Sequence, residues 1–187
     1  MNIGDVTNEL KASGWSNSKD EVGDRLASYQ LSDRSVDIIY GLREATGEQQ
    51  LWLMLSTSTK AFSRACSTID PGYGPTSPLI TAWKGLRILA PQILEEHVRQ
   101  ASHEAIAWAQ KQDLGKALID HAALPTNAPG ARPIWHLAAL GLLGETAKLK
   151  SYQASFASGD RLGFVNYVTK DYIDRAVALA EEAADGA

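Results

Sequence analysis

The chain has 187 residues, 44% of them apolar and 21% charged, which is ordinary globular usage and enough material for one well-packed domain. Its net charge of −4 splits as 7 basic against 10 acidic groups over residues 1–70 and 11 against 12 over the rest; no basic stripe forms, which argues against a nucleic-acid partner. The single cysteine, Cys66, excludes an internal disulfide and the paired-cysteine zinc patterns, and fits a reducing compartment.

The opening MNIGDVTNELKASGW lacks the basic head and apolar run of a signal peptide. No run approaches the ~20 apolar residues that span a bilayer. A cytoplasmic protein with no membrane partner is therefore expected. Ile3, Val6 and Leu10 recur at helical spacing and Gly14 follows as a stop, which predicts a helix over residues 2–13. The polar cluster SNSKDEVGD (16–24) reads as a loop. RLASYQL (25–31) and VDIIYGLRE (36–44) read as strands, the second with Val36, Ile38, Tyr40 and Leu42 on one face. ATGE supplies a turn. QQLWLMLSTS (49–58) is a third strand, with Leu51, Leu53 and Leu55 facing one way and Trp52 and Met54 the other. The short connections favour an antiparallel meander. TKAFSRACSTID (59–70) suits a helix better than a strand, because Ala61, Phe62, Ala65, Cys66 and Ile69 form one stripe behind Ser58 or Thr59 as cap.

DPGYGPTSP (70–78) holds three prolines and two glycines. The prolines remove amide donors and no lysine or arginine lies in it, so it reads as a stiff connector rather than an anion loop. Tyr73, at its centre, is an aromatic placed to touch a partner. Ser77 and Pro78 read as cap and first residue of a helix through PLITAWKGLRILA. Residues 91–112 make the clearest helix, with Leu94, Val98, Ala101, Ala105 and Trp108 as its seam. Asp113 caps LGKALIDHAAL, PTNAPGARP (125–133) is a second breaker loop, and Pro133 opens IWHLAALGLL, which Gly144 closes. Two further helices follow, one presenting Leu149, Tyr152 and Phe156 and one, capped by Thr169, presenting Tyr172, Ile173, Ala176, Val177 and Ala180. The expected fold is α+β: an N-terminal helix and a short antiparallel meander of about three strands, then a mostly helical C-terminal half packed on it. One domain over residues 1–187 is expected, with 1–70 as the meander part, 71–80 as connector and 81–187 as the helical part. A shared core is favoured, since three strands alone are marginal.

Catalytic signatures are sparse. His97 and His103 lie six residues apart on one helix and cannot chelate one ion as an i, i+4 pair does. His121 sits late in a short helix, where a positive charge suits the dipole. His136, beside Trp135, reads as a buried, hydrogen-bonded histidine. Cys66 has no local base and reads as core. No nucleophile elbow, phosphate loop or EF-hand spacing occurs. Neither a cofactor nor a metal site is expected, and catalysis is disfavoured.

Surface recognition remains. Of the five tryptophans, Trp108 and Trp135 sit on helix stripes and read as core. Trp52 and Met54 lie on the second face of an apolar strand, and an antiparallel sheet commonly leaves one face wet. Ile39 shares its side with Asp37 and Arg43, a mixture that suits an interface rim. The expected partner-binding residues are Trp52, Met54, Ile39, Arg43 and Tyr73, on a protein that binds another protein; a homodimer is also compatible. In the order of its elements the chain is similar to small bacterial binding proteins, namely toxin-immunity proteins and secretion chaperones, without a shared motif. The alternative is a small enzyme or ligand-binding protein with a pocket between the sheet and helical halves, drawing on His136, Arg132 and Tyr40, with Arg43 beside them.

Overall fold

A computed structural model describes residues 1–20, 22–72, 74 and 76–185. The fold is α+β, with an N-terminal helix, an antiparallel sheet and a mostly helical C-terminal half. The chain divides into two compact units: Met1–Ser58 with Ile80–Gln112, and Thr59–Leu79 with Asp113–Ala187.

The first is the sheet unit. It opens with α1 (Ile3–Ala12), started by a capping box in which Asn2 accepts from the amides of Gly4 and Asp5 while the Asp5 carboxylate accepts from the Asn2 amide. Gly14, at φ +91, lets the chain leave the helix. Four strands follow in a meander: β1 (Ser16–Lys19), β2 (Arg25–Gln30), β3 (Ser35–Ala45) and β4 (Glu48–Ser58). Thr46 and Gly47 turn β3 into β4 with φ of +49 and +84, the left-handed pair a tight hairpin needs. Two more strands, β5 (Ile80–Thr81) and β6 (Leu86–Ala90), both pair with β4. Among the described residues the sheet thus has six strands rather than about three. The polar stretch read as a loop supplies β1, and the stretch read as a helix from Ser77 supplies β5 and β6.

The physical reason for the second correction is Gly85. Its φ is +61, and a Cβ there would stand 2.3 Å from the Leu53 carbonyl oxygen. Only glycine can bring the backbone that close. The turn splits the apolar run, and β6 then alternates, with Leu86, Ile88 and Ala90 turned inward. Then α3 (Glu95–Gln110) crosses the same face as α1. Val6 and Leu10 of α1 and Val98, Ala101, Ala105 and Ala109 of α3 bury against Val36, Ile38, Tyr40, Leu51, Leu53 and Leu55. The seam of α3 therefore continues to Ala109, and Trp108 is only half-buried. Each large side chain so buried contributes roughly 1.5–3 kcal/mol. Arg34 donates to the carbonyls of Ala109 (2.7 Å) and Gln112 (2.9 Å), satisfying orphan groups at the end of α3.

The second is the helical unit. It comprises α2 (Lys60–Ile69), α4 (Leu114–Ala122), α5 (Arg132–Leu142), α6 (Thr146–Ala157) and α7 (Lys170–Asp185). The stretch 59–70 is indeed helical: Thr59 accepts from the Phe62 amide at 3.0 Å, and Phe62, Ala65, Cys66 and Ile69 are the buried stripe. Asp113 caps α4 through the Lys116 amide at 2.8 Å. Ser77 caps no helix; it is fully buried and its amide donates to Ser63 Oγ at 3.2 Å. Ile134, Leu137, Leu140, Leu149, Ile173 and Ala176 complete this unit's core.

Candidate functional site

Strand alternation gives the sheet a second face, opposite α1 and α3. The register fixes its pattern in three rows. Leu26 of β2 stands opposite Ile39 of β3, which stands opposite Met54 of β4. Gly41 lies opposite Trp52, and Trp52 opposite Arg87 of β6. Arg43 lies opposite Gln50, and Gln50 opposite Leu89. Four of the five expected partner-binding residues, Ile39, Arg43, Trp52 and Met54, are therefore neighbours on this face. The fifth, Tyr73, lies outside the described residues.

The face is apolar at its centre. Met54 is 52% exposed and Leu89 58% exposed, while Leu26, Ile39 and Trp52 are half-buried among their neighbours. Trp52 lies flat over Gly41, where an added Cβ would meet three ring atoms at 2.6 Å. Glycine there lets the indole sit on the sheet, where Asp37 and Ser56 stand on one side. Asp37 accepts from the hydroxyls of Ser28 (2.5 Å) and Ser35 (2.9 Å). On the other side Arg43 donates through Nε to Gln50 Oε1 at 2.5 Å. An apolar centre between polar rows is the arrangement common to protein interfaces.

Of the alternative set, Tyr40 and Arg43 belong to the sheet unit and Arg132 and His136 to the helical unit. Tyr40 and Arg43 leave opposite faces of β3, one buried under α1 and one on the open face. His136 is 0% exposed in the helical unit, whereas Arg132, one turn earlier on α5, is exposed. The His136 ring is fully used: Nδ1 donates to the His121 carbonyl at 3.2 Å and Nε2 accepts from the Tyr152 hydroxyl at 3.2 Å. Burial pushes its pKa down to about 4, so the ring is neutral at pH 7.

At His121, burial works against the positive charge that the helix end would favour. The ring stacks on Phe62 at 5.6 Å, meets Trp135 edge-on at 5.4 Å, and donates through Nε2 to the Leu79 carbonyl at 2.9 Å. Burial lowers its pKa, opposed by that carbonyl bond. Cys66 is buried, and burial raises its thiol pKa to about 11, as suits a core residue. His97 caps α3 locally, its Nδ1 accepting from the Leu94 amide at 3.0 Å. Among the described residues no three His, Cys, Asp or Glu side chains gather as a metal site, and no helix is long and apolar enough to cross a membrane.

Two exposed apolar residues, Leu89 and Trp83, carry no clear local signal in the sequence. Leu89 was assigned to a helix. Trp83, between β5 and β6, is 99% exposed. Gly85, an isolated glycine two residues after Trp83, was the available signal for a break there.

No curated protein and no solved structure matches the chain. One family profile does, over residues 2–181. With that match running along almost its whole length, the chain belongs to DUF6990, a family of unknown function.

Proposed function

We propose that the chain is a non-catalytic, cytoplasmic protein-binding module that docks a protein partner on the open face of its sheet, in the manner of a bacterial immunity protein or a secretion-chaperone-like adaptor. The observation that carries this reading is the run of apolar side chains Ile39, Met54 and Trp52, continued by Leu89 in the row of Arg43 and Gln50, with Asp37 on the opposite flank. Water-exposed Met54 and Leu89 gain by being covered, at roughly 1.5–3 kcal/mol for each large side chain fully buried, before the costs of association. Methionine adapts its shape to a partner, and tryptophan is over-represented among the residues that carry binding energy.

The test is affinity capture from the native host with the full chain, read by mass spectrometry, in three forms: unchanged, Met54→Glu, and Trp52→Ala. The expected result is one stoichiometric protein partner with the unchanged chain, lost with Met54→Glu while circular dichroism and thermal unfolding stay the same. Trp52→Ala should weaken capture by at least about tenfold, or ~1.4 kcal/mol. Capture that is indifferent to both substitutions would remove the open face from consideration.

A further inference from the structure

On its helix-covered side, the sheet unit carries a cleft of ≈ 440 Å³ that the open face does not share. Thr7 of α1, Asn17 and Lys19 of β1, Arg25 of β2 and Tyr40 of β3 are among its walls. The register explains how they meet. Lys19 is the cross-strand partner of Arg25, and Arg25 is the partner of Tyr40. Two cations and a phenol thus form one row that runs from the edge strand β1 inward to Tyr40 beneath α1.

This row sets two like charges side by side. Like charges directly opposite each other destabilise an antiparallel pair. Among the described residues neither the Lys19 nor the Arg25 side chain has an ion pair or a hydrogen bond. The neighbouring carboxylate of Asp20 is committed elsewhere, accepting from the amides of Val22 (3.1 Å) and Asp24 (2.8 Å) to hold the turn between the two strands. Behind the cations the polar wall is already ordered. The Tyr40 hydroxyl donates to Asn17 Oδ1 at 2.9 Å and stands 3.0 Å from Thr7 Oγ1.

From this juxtaposition we propose that the cleft binds a small molecule through a dianionic phosphate monoester, which sits between Lys19 and Arg25. Arginine offers a planar fork that matches phosphate oxygens and lysine adds a point charge. A dianion neutralises both cations at once, which a single carboxylate does not. The cleft volume falls in the range of small-molecule sites, so an organic group beyond the phosphate has room along Thr7 and Tyr40.

The test uses the full chain, labelled with nitrogen-15, titrated with inorganic phosphate, phenyl phosphate, sulfate and succinate against chloride at matched ionic strength. Inorganic phosphate and phenyl phosphate should move the amides of residues 17–19, 25 and 40 beyond the chloride control, with phenyl phosphate binding tighter. Arg25→Gln should weaken both by at least roughly tenfold, and Arg25→Lys should recover part of the loss. Both variants are expected to fold, because each leaves the sheet ladder untouched and the first relieves repulsion; the amide spectrum away from the cleft checks this. Absence of any shift beyond chloride overturns the site. Shifts that persist in the Lys19→Gln, Arg25→Gln double variant also overturn it. Succinate binding as tightly as phenyl phosphate overturns the phosphate assignment.

Discussion

Lowering the pH should destabilise the helical unit through His136. The ring is 0% exposed, and both its nitrogens serve the neutral form, one as donor and one as acceptor. Burial, the largest cause, holds its pKa at about 4, against an ordinary value of 6.5 when the chain unfolds. Between those two values the unfolded chain binds a proton that the folded chain refuses. Stability is therefore unaffected above about pH 6.5, falls as the pH drops through that value, and reaches its full loss near pH 4. At about 1.4 kcal/mol for each pH unit, the gap amounts to about 3 kcal/mol, of which about 2 kcal/mol is lost between pH 7 and pH 5. The assay is urea unfolding followed by helical circular dichroism at several pH values, comparing the unchanged chain with His136→Gln. Carboxylates titrate alike in both, so the difference isolates the histidine. The variant should start less stable at pH 7 and converge on the unchanged chain by about 2 kcal/mol at pH 5. In parallel, the His136 ring protons should keep neutral chemical shifts down to about pH 5. Equal pH slopes for the two chains, or a His136 resonance that titrates near pH 6.5, would refute the reasoning.

Two other outcomes follow from the packing. Gly41→Ala places a methyl 2.6 Å from the Trp52 ring, so the indole must lift off the sheet; a cost of about 1–3 kcal/mol in thermal unfolding and stronger acrylamide quenching are expected. That cost should shrink when Trp52 is already phenylalanine, since the two changes share one contact. The Cys66 thiol, buried and pushed up to about 11, should ignore thiol reagents at about pH 8 until urea opens the helical unit. Fast stoichiometric labelling of the folded chain would contradict its burial.

The elements that sequence made legible are those whose signal is local. Asn2 and Gly14 bracket α1, Thr59 starts α2, and Asp113 starts α4 through bonds spanning only a few residues. Strands β3 and β4 declare themselves by strict alternation, and that alternation also placed Ile39, Trp52 and Met54 on one side. The rest depends on distant partners. Ser-Asn-Ser-Lys has no apolar period, and β1 exists because β2 offers it a ladder in register. β6 depends on Gly85 touching the Leu53 carbonyl, a contact 32 residues away that no window can see. His121 followed the same rule: its helix position favoured a charge, but burial against Phe62, 59 residues upstream, lowers its pKa despite the opposing bond to the Leu79 carbonyl. Local rules describe an element in isolation, and tertiary contacts override them where burial is at stake.

The same alternation separates the two surfaces proposed on the sheet unit. Odd-numbered residues of β3, namely Asp37, Ile39, Gly41 and Arg43, build the open face, while the even-numbered Val36, Ile38 and Tyr40 face α1 and α3. Met54 and Trp52 therefore share no side-chain face with Lys19, Arg25 and Tyr40, although Leu53 continues the row that Tyr40 belongs to. Substitutions on the two faces should add rather than couple, because they touch no common partner. Met54→Glu thus leaves the phosphate titration as it was, and Arg25→Gln leaves partner capture as it was. A sheet built this way can present a protein-binding surface on one side and a small-ligand cleft on the other, with only the backbone ladder in common.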